Sequence, residues 1–189
     1  MASTLVTPPS VTPVSLAQAK AHLRITHNDE DTLIGELIEA ATRFMADNDG
    51  VCCITQTWRY FVSDICQPRR IHRYPVSTVE AAIVYDADGH ATTATAGEVL
   101  IDTRKRPAAL TFDVTSIGAN ADNGADVDIV FGFGETAVDV PDTLRRAILI
   151  LVAHWYTLRG DVAPSQQPVS VPEQYNRLVA PYRHLGVGG

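Results

Sequence analysis

Residues 140–159 read Val-Pro-Asp-Thr-Leu-Arg-Arg-Ala-Ile-Leu-Ile-Leu-Val-Ala-His-Trp-Tyr-Thr-Leu-Arg, and every residue from Ala147 to Ala153 is apolar. Wound into a helix, this run has no side that water wets comfortably. It is far shorter than the roughly 18 apolar residues a membrane span requires, so protein has to enclose it. Pro141 suits a first helical position, which needs a fixed φ and no donor, and Asp142 opposes the helix dipole. Gly160 is the expected stop. A chain of 189 residues makes one ordinary domain, or a helical core with an appended lobe. Few helices are then available to wrap this one, so assembly with further subunits is expected. Leu144, Ile148, Leu151 and Trp155 are the positions assigned to core and subunit packing.

The remaining elements follow from caps and periodicity. Ser15-Leu-Ala-Gln18 is a capping box that opens a helix to about Leu23. Asn28, followed by Asp29, Glu30 and Asp31, is expected to cap a second helix carrying Leu33, Ile34, Leu37, Ile38, Ala41, Phe44 and Met45 on one face and ending at Gly50. From Ile54 to Ser63 the period changes to two. A hairpin is expected over Thr78–Thr95 around Asp86-Ala-Asp-Gly89, followed by strands at Val99–Asp102, Ala109–Val114 and Val127–Phe133. Asp161–Val171 reads as a linker, and Pro172 opens a last helix.

The predicted fold is α+β: a helical bundle of two N-terminal and two C-terminal helices with an inserted small antiparallel β-sheet lobe. The corresponding divisions are an N-terminal arm 1–14, a helical core 15–50 and 140–160, a β lobe 51–139, and a linker with C-terminal docking helix 161–189. The first residues have neither a basic n-region nor a continuous apolar h-region and read as a mobile or docking arm, in a protein used without export.

Charge and motif content narrow the function classes. Fifteen basic against 22 acidic residues give a net charge of −7, the wrong sign for a protein that grips phosphates. Two basic clusters, Arg69, Arg70, His72 and Arg73, and Arg104, Lys105 and Arg106, read as solvated loop charges, with a nucleic-acid-binding packaging factor as the alternative function. Cys52, Cys53 and Cys66 form an odd set without CxxC spacing and are expected to be unbridged thiols. The six histidines are scattered without HExxH, no GxSxG elbow is present, and Gly132-Phe-Gly134 lacks the third glycine of a phosphate cradle. His154, beside Trp155 and Tyr156, reads as a packed histidine. No catalytic residue, metal ligand or cofactor is therefore assigned. The last helix bears tyrosines and arginines, the composition of interface anchors: Tyr175, Arg177, Tyr182 and Arg183. A helix folded back on its own core is the equal alternative.

Four segments together resemble one family. Ser15-Leu-Ala-Gln-Ala-Lys-Ala-His-Leu-Arg-Ile25 with Asp29-Glu-Asp31, Ile54-Thr-Gln-Thr-Trp58, the stretch from Val140 to Tyr156, and Leu178-Val-Ala-Pro-Tyr-Arg183 are similar to the head-tail connector proteins of long-tailed phages, prophages and gene transfer agents. The resemblance implies a non-enzymatic adaptor of the head-tail neck, synthesised in the host cytoplasm. It forms a ring, commonly of twelve, between the portal protein and a stopper or tail-completion protein. DNA passes through the channel without specific binding, and no membrane is involved. The resemblance further implies that the C-terminal helix docks on the portal through Tyr175, Arg177, Leu178, Tyr182 and Arg183. On this reading, a chain lacking Pro172–Gly189 keeps its helical core and loses portal attachment.

Overall fold

The structure is a computed structural model and describes residues 2–95, 97–117, 122–158 and 171–183. In chain order its elements are β1 (Ser3–Thr7), α1 (Leu16–Leu23), α2 (Asp31–Asn48), β2 (Gln56–Val62), β3 (Arg69–Ile71), β4 (Val76–Tyr85), β5 (Ala91–Thr93), β6 (Val99–Asp102), β7 (Ala108–Phe112), α3 (Val114–Ile117), β8 (Ala125–Phe131), a 3₁₀ turn (Ala137–Asp139), α4 (Asp142–Leu158) and α5 (Glu173–Val179). They fall into two compact units. A β unit comprises Met1–Pro9 and Thr55–Gly132, and a helical unit comprises Ser10–Ile54 and Phe133–Val187. The protein is thus mixed α+β.

In the helical unit the Ser15 capping box forms as expected: the Gln18 amide donates to Ser15 Oγ at 3.2 Å and the Ser15 amide to Gln18 Oε1 at 2.9 Å. Asn28 is not the cap of α2. Glu30 holds that position, and Asn28 Oδ1 instead accepts from Lys20 Nζ, which also pairs with Asp31 at 2.6 Å. The lysine ties the end of α1 to the start of α2, and this withdraws the asparagine from capping. Gly50 takes the left-handed stop at φ 68°, letting the Val51 amide reach Met45 O.

Helix α4 packs against α1, α2 and α5. Its Leu144, Ala147, Ile148, Leu151 and Val152 are buried with Ile34, Ile38, Ala41 and Met45 of α2 and with Tyr175 and Val179 of α5. The rest of the apolar run, Leu149, Ile150 and Ala153, is half-buried. One subunit therefore covers one face of α4 fully and the other only in part. The expected stop, Gly160, and most of the expected linker lie outside the described residues. Helix α5 ends at Val179, so Tyr182 and Arg183 stand in a turn beyond it, their amides both donating to Val179 O.

The β unit contains two antiparallel sheets where one was expected. The five-stranded sheet has the order β1-β2-β8-β4-β5 and the three-stranded sheet β3-β7-β6. The β6–β7 hairpin pairs with β3, inside a segment read from sequence as basic loop. Ser3–Thr7, placed by sequence in an arm, is the edge strand beside β2. Val114, placed by sequence at the end of a strand, instead opens the helical turn α3, held by Asp113, whose side chain accepts from Ser116 Oγ at 2.8 Å. Alternation is strict on β8 and holds on β2 from Trp58 onward: Trp58, Tyr60, Val62, Ala125, Val127, Ile129 and Phe131 are buried, with the Tyr60 and Phe131 rings 6.0 Å apart, while Gln56 and Thr57 at the start of β2 are both buried. On the opposite face Arg59 makes a bidentate pair with Asp128 at 2.7 Å. Gly124 enters β8 at φ 85°, where a Cβ would meet Val62 O at 2.4 Å, so the close pass requires glycine.

Candidate functional site

The residues proposed from sequence for docking are largely committed to their own subunit. Tyr175 is wholly buried. Its ring meets Phe44 edge-on at 6.1 Å, and its hydroxyl donates to Asp49 Oδ2 at 2.5 Å. Arg183 pairs with Asp49 Oδ1 at 2.7 Å and donates to Asn176 Oδ1 at 2.9 Å. Tyr182 stacks edge-on with Phe133 at 6.0 Å, its hydroxyl 2.9 Å from Thr143 Oγ1. Leu178 packs partly against the core. Of the five, only Arg177 is well exposed, paired with Glu173 one turn earlier. The fold-back alternative thus describes Tyr175, Tyr182 and Arg183. Deleting Pro172–Gly189 would strip Tyr175 and Val179 from the core, contrary to the expectation that the core survives it.

Burial raises the Asp49 carboxyl above its ordinary range, against the lowering influence of Tyr175 and Arg183. The Tyr175 phenol is pushed well above its usual value by burial first and by Asp49 second. The network thus ties Asp49, just past the end of α2, to α5 and to the turn beyond it through a buried hydrogen bond and an ion pair, which suits anchoring.

The basic clusters are also largely engaged. Arg69 pairs with Asp64, Arg104 and Lys105 with Asp102, while Arg73 lies over the Trp58 ring at 3.4 Å and Arg106 over Tyr74 at 3.9 Å. Neutralised or stacked cations are poor phosphate grips, which weakens the packaging-factor alternative. Cys52 and Cys53 are buried, and the Cys53 thiol is pushed up to about 12 by burial and by its neighbour, leaving it inert. Among the described residues no group of three or more His, Cys, Asp or Glu side chains could hold a metal ion, and no helix is long and apolar enough to cross a membrane.

Among the described residues, the helical unit presents a groove and a stripe that are not already filled by its own side chains. Glu36, Glu39, Ala40, Arg43, Phe44, Asp47, Asn48 and Trp155 line an open groove on the outer face of α2. Its floor is aromatic, Phe44 and Trp155 meeting edge-on at 5.8 Å, and its rim is mostly acidic. The second surface is the half-buried stripe of α4. The groove was not identified from sequence. Its only sequence signal is the 3–4-residue spacing of Glu36, Glu39/Ala40, Arg43 and Asp47, which also describes any solvated helix face.

Residues 13–63 match the family of phage gp6-like head-tail connector proteins. Over this stretch the chain is similar to the head-tail connectors. This match spans α1, α2 and β2, hence the first two of the four segments that carry the resemblance. No curated protein matches. Among solved structures, a chain in the virion of a native gene transfer agent (GTA) particle is 22% identical, with a TM-score of 0.80 over 100% of this chain and 98% of that one. A chain in the neck of an empty GTA particle, computed with C6 symmetry, is 23% identical with a TM-score of 0.76 over the same shares. A chain in the neck of a native GTA particle, computed with C12 symmetry, is 22% identical with a TM-score of 0.72 over 98% of each chain. At this identity these likenesses establish a common fold along essentially the whole chain. The matched connector family and neck structures are structural parts of particles and not enzymes.

Proposed function

We propose that this protein is a structural head-tail connector subunit of a phage-like particle. It sits in the neck as a ring, commonly of twelve copies, between the portal protein and a stopper or tail-completion protein, and DNA passes through its centre without specific binding. The likeness in fold, over the full chain, to chains in GTA necks supports this reading most, together with the family match at residues 13–63. The incompletely covered face of α4 supports self-assembly, and the net charge of −7 suits a wall along which DNA slides.

The C-terminal segment is the part that meets the portal. Arg177 and Leu178 provide the contact, and Tyr175, Tyr182 and Arg183 hold α5 where the contact can form. Electron microscopy of the purified chain, alone and with portal, is expected to show rings or portal-bound collars. A chain that stays monomeric and ignores the portal refutes the connector reading. Arg177→Glu, which spares the core, is expected to weaken portal attachment, and unchanged attachment removes the docking role.

A further inference from the structure

On α4, Arg146, Leu149, Ile150 and Ala153 follow the i, i+3, i+4, i+7 spacing of one face. Arg146 is exposed and the three apolar residues are half-buried. Trp155, two residues beyond Ala153, projects about 160° away from that face and into the floor of the α2 groove. One helix thus offers an apolar stripe with a cation at its end on one side, and on the other contributes to an aromatic-floored groove. Glu36 and Glu39 on the groove rim are exposed, and among the described residues neither they nor Arg146 make an ion pair. The two surfaces are different, complementary in charge and hydropathy, and placed on opposite sides of the same helix. A head-to-tail contact that repeats by rotation needs such an arrangement.

We infer that the α2 groove of one subunit receives the outward α4 stripe of a second copy, Leu149 and Ile150 covering Phe44 and Trp155 while Arg146 meets Glu36 and Glu39. This deepens the connector reading and rests on it. The contact supplies the cover that the apolar run of α4 lacks in one subunit, and it leaves α5 free of the lateral interface.

Charge exchange within one chain tests the pairing. Glu36→Arg with Glu39→Arg, and separately Arg146→Glu, are expected to weaken self-assembly roughly tenfold or more by sedimentation, with unchanged circular dichroism. All three substitutions in one chain are expected to restore assembly, which mere misfolding cannot do. In a Cys66→Ser background, Ala40→Cys with Ile150→Cys is expected to give a ladder of oligomers with a short bismaleimide, and either cysteine alone no more than dimers. If wild-type rings form but the charge variants assemble equally well and no ladder appears, this inference is overturned while the connector reading stands. If the wild-type chain forms no ring, alone or with portal, both fall.

Discussion

At Asp49 one carboxylate accepts from Tyr175 and pairs with Arg183 while only 6% of its side chain is exposed. Removing it leaves a buried hydroxyl and a largely enclosed guanidinium without their partner. Asp49→Ala is therefore expected to cost about 3 kcal/mol of stability by urea denaturation, and Asp49→Asn, which keeps an acceptor for Tyr175, about 1 kcal/mol. The pH dependence has a definite sign. With its carboxyl raised in the folded chain, Asp49 retains its proton there while the unfolded chain has already released it. The part of its contribution that is linked to the raised pKa is full below about pH 4 and is lost as pH rises through the folded value. The stability difference between wild type and Asp49→Asn should shift against the wild type over that window. Sequence reading had no access to this network, since Asp49 looked like part of a helix stop and its partners lie more than a hundred positions away.

Among the elements, α4 shows how far periodicity carries. Its existence, its start and the burial of Leu144, Ile148 and Leu151 followed from an apolar run behind a proline and an acid, because helix propensity and cover requirements act locally. Which side lacks cover depended on the placement of α1, α2 and α5, information that resides in tertiary packing. Ile148→Ala, at a fully buried position, is expected to lose about 2–5 kcal/mol, and Leu149→Ala, on the half-covered side, about 1 kcal/mol in the isolated subunit. Urea titrations of the two variants check the contrast. The strands were less legible. Long alternating segments such as β2 and β8 declared themselves, whereas β3 is 3 residues long and mostly basic, too short for a period to rise above loop composition.

For the whole molecule, the connector reading demands weak affinity for DNA. Excess negative charge and arginines already paired with Asp64 and Asp102 predict no retention of duplex DNA at physiological salt by electrophoretic mobility shift, and binding with a steep salt slope would favour a packaging role. The α+β class was readable from element order alone. The split into two sheets was not, because strand pairing between distant segments leaves no mark on local composition.

Ser3–Thr7 pairs with Gln56–Val62, and the stretch Ser10–Ile54 of the helical unit separates the two strands in sequence. Emerging from the ribosome, the first strand must therefore wait for some fifty further residues before its ladder partner exists. Neither unit is encoded by one continuous stretch, so no single scission of the gene can liberate either of them intact, and the two halves of the protein are bound to mature together.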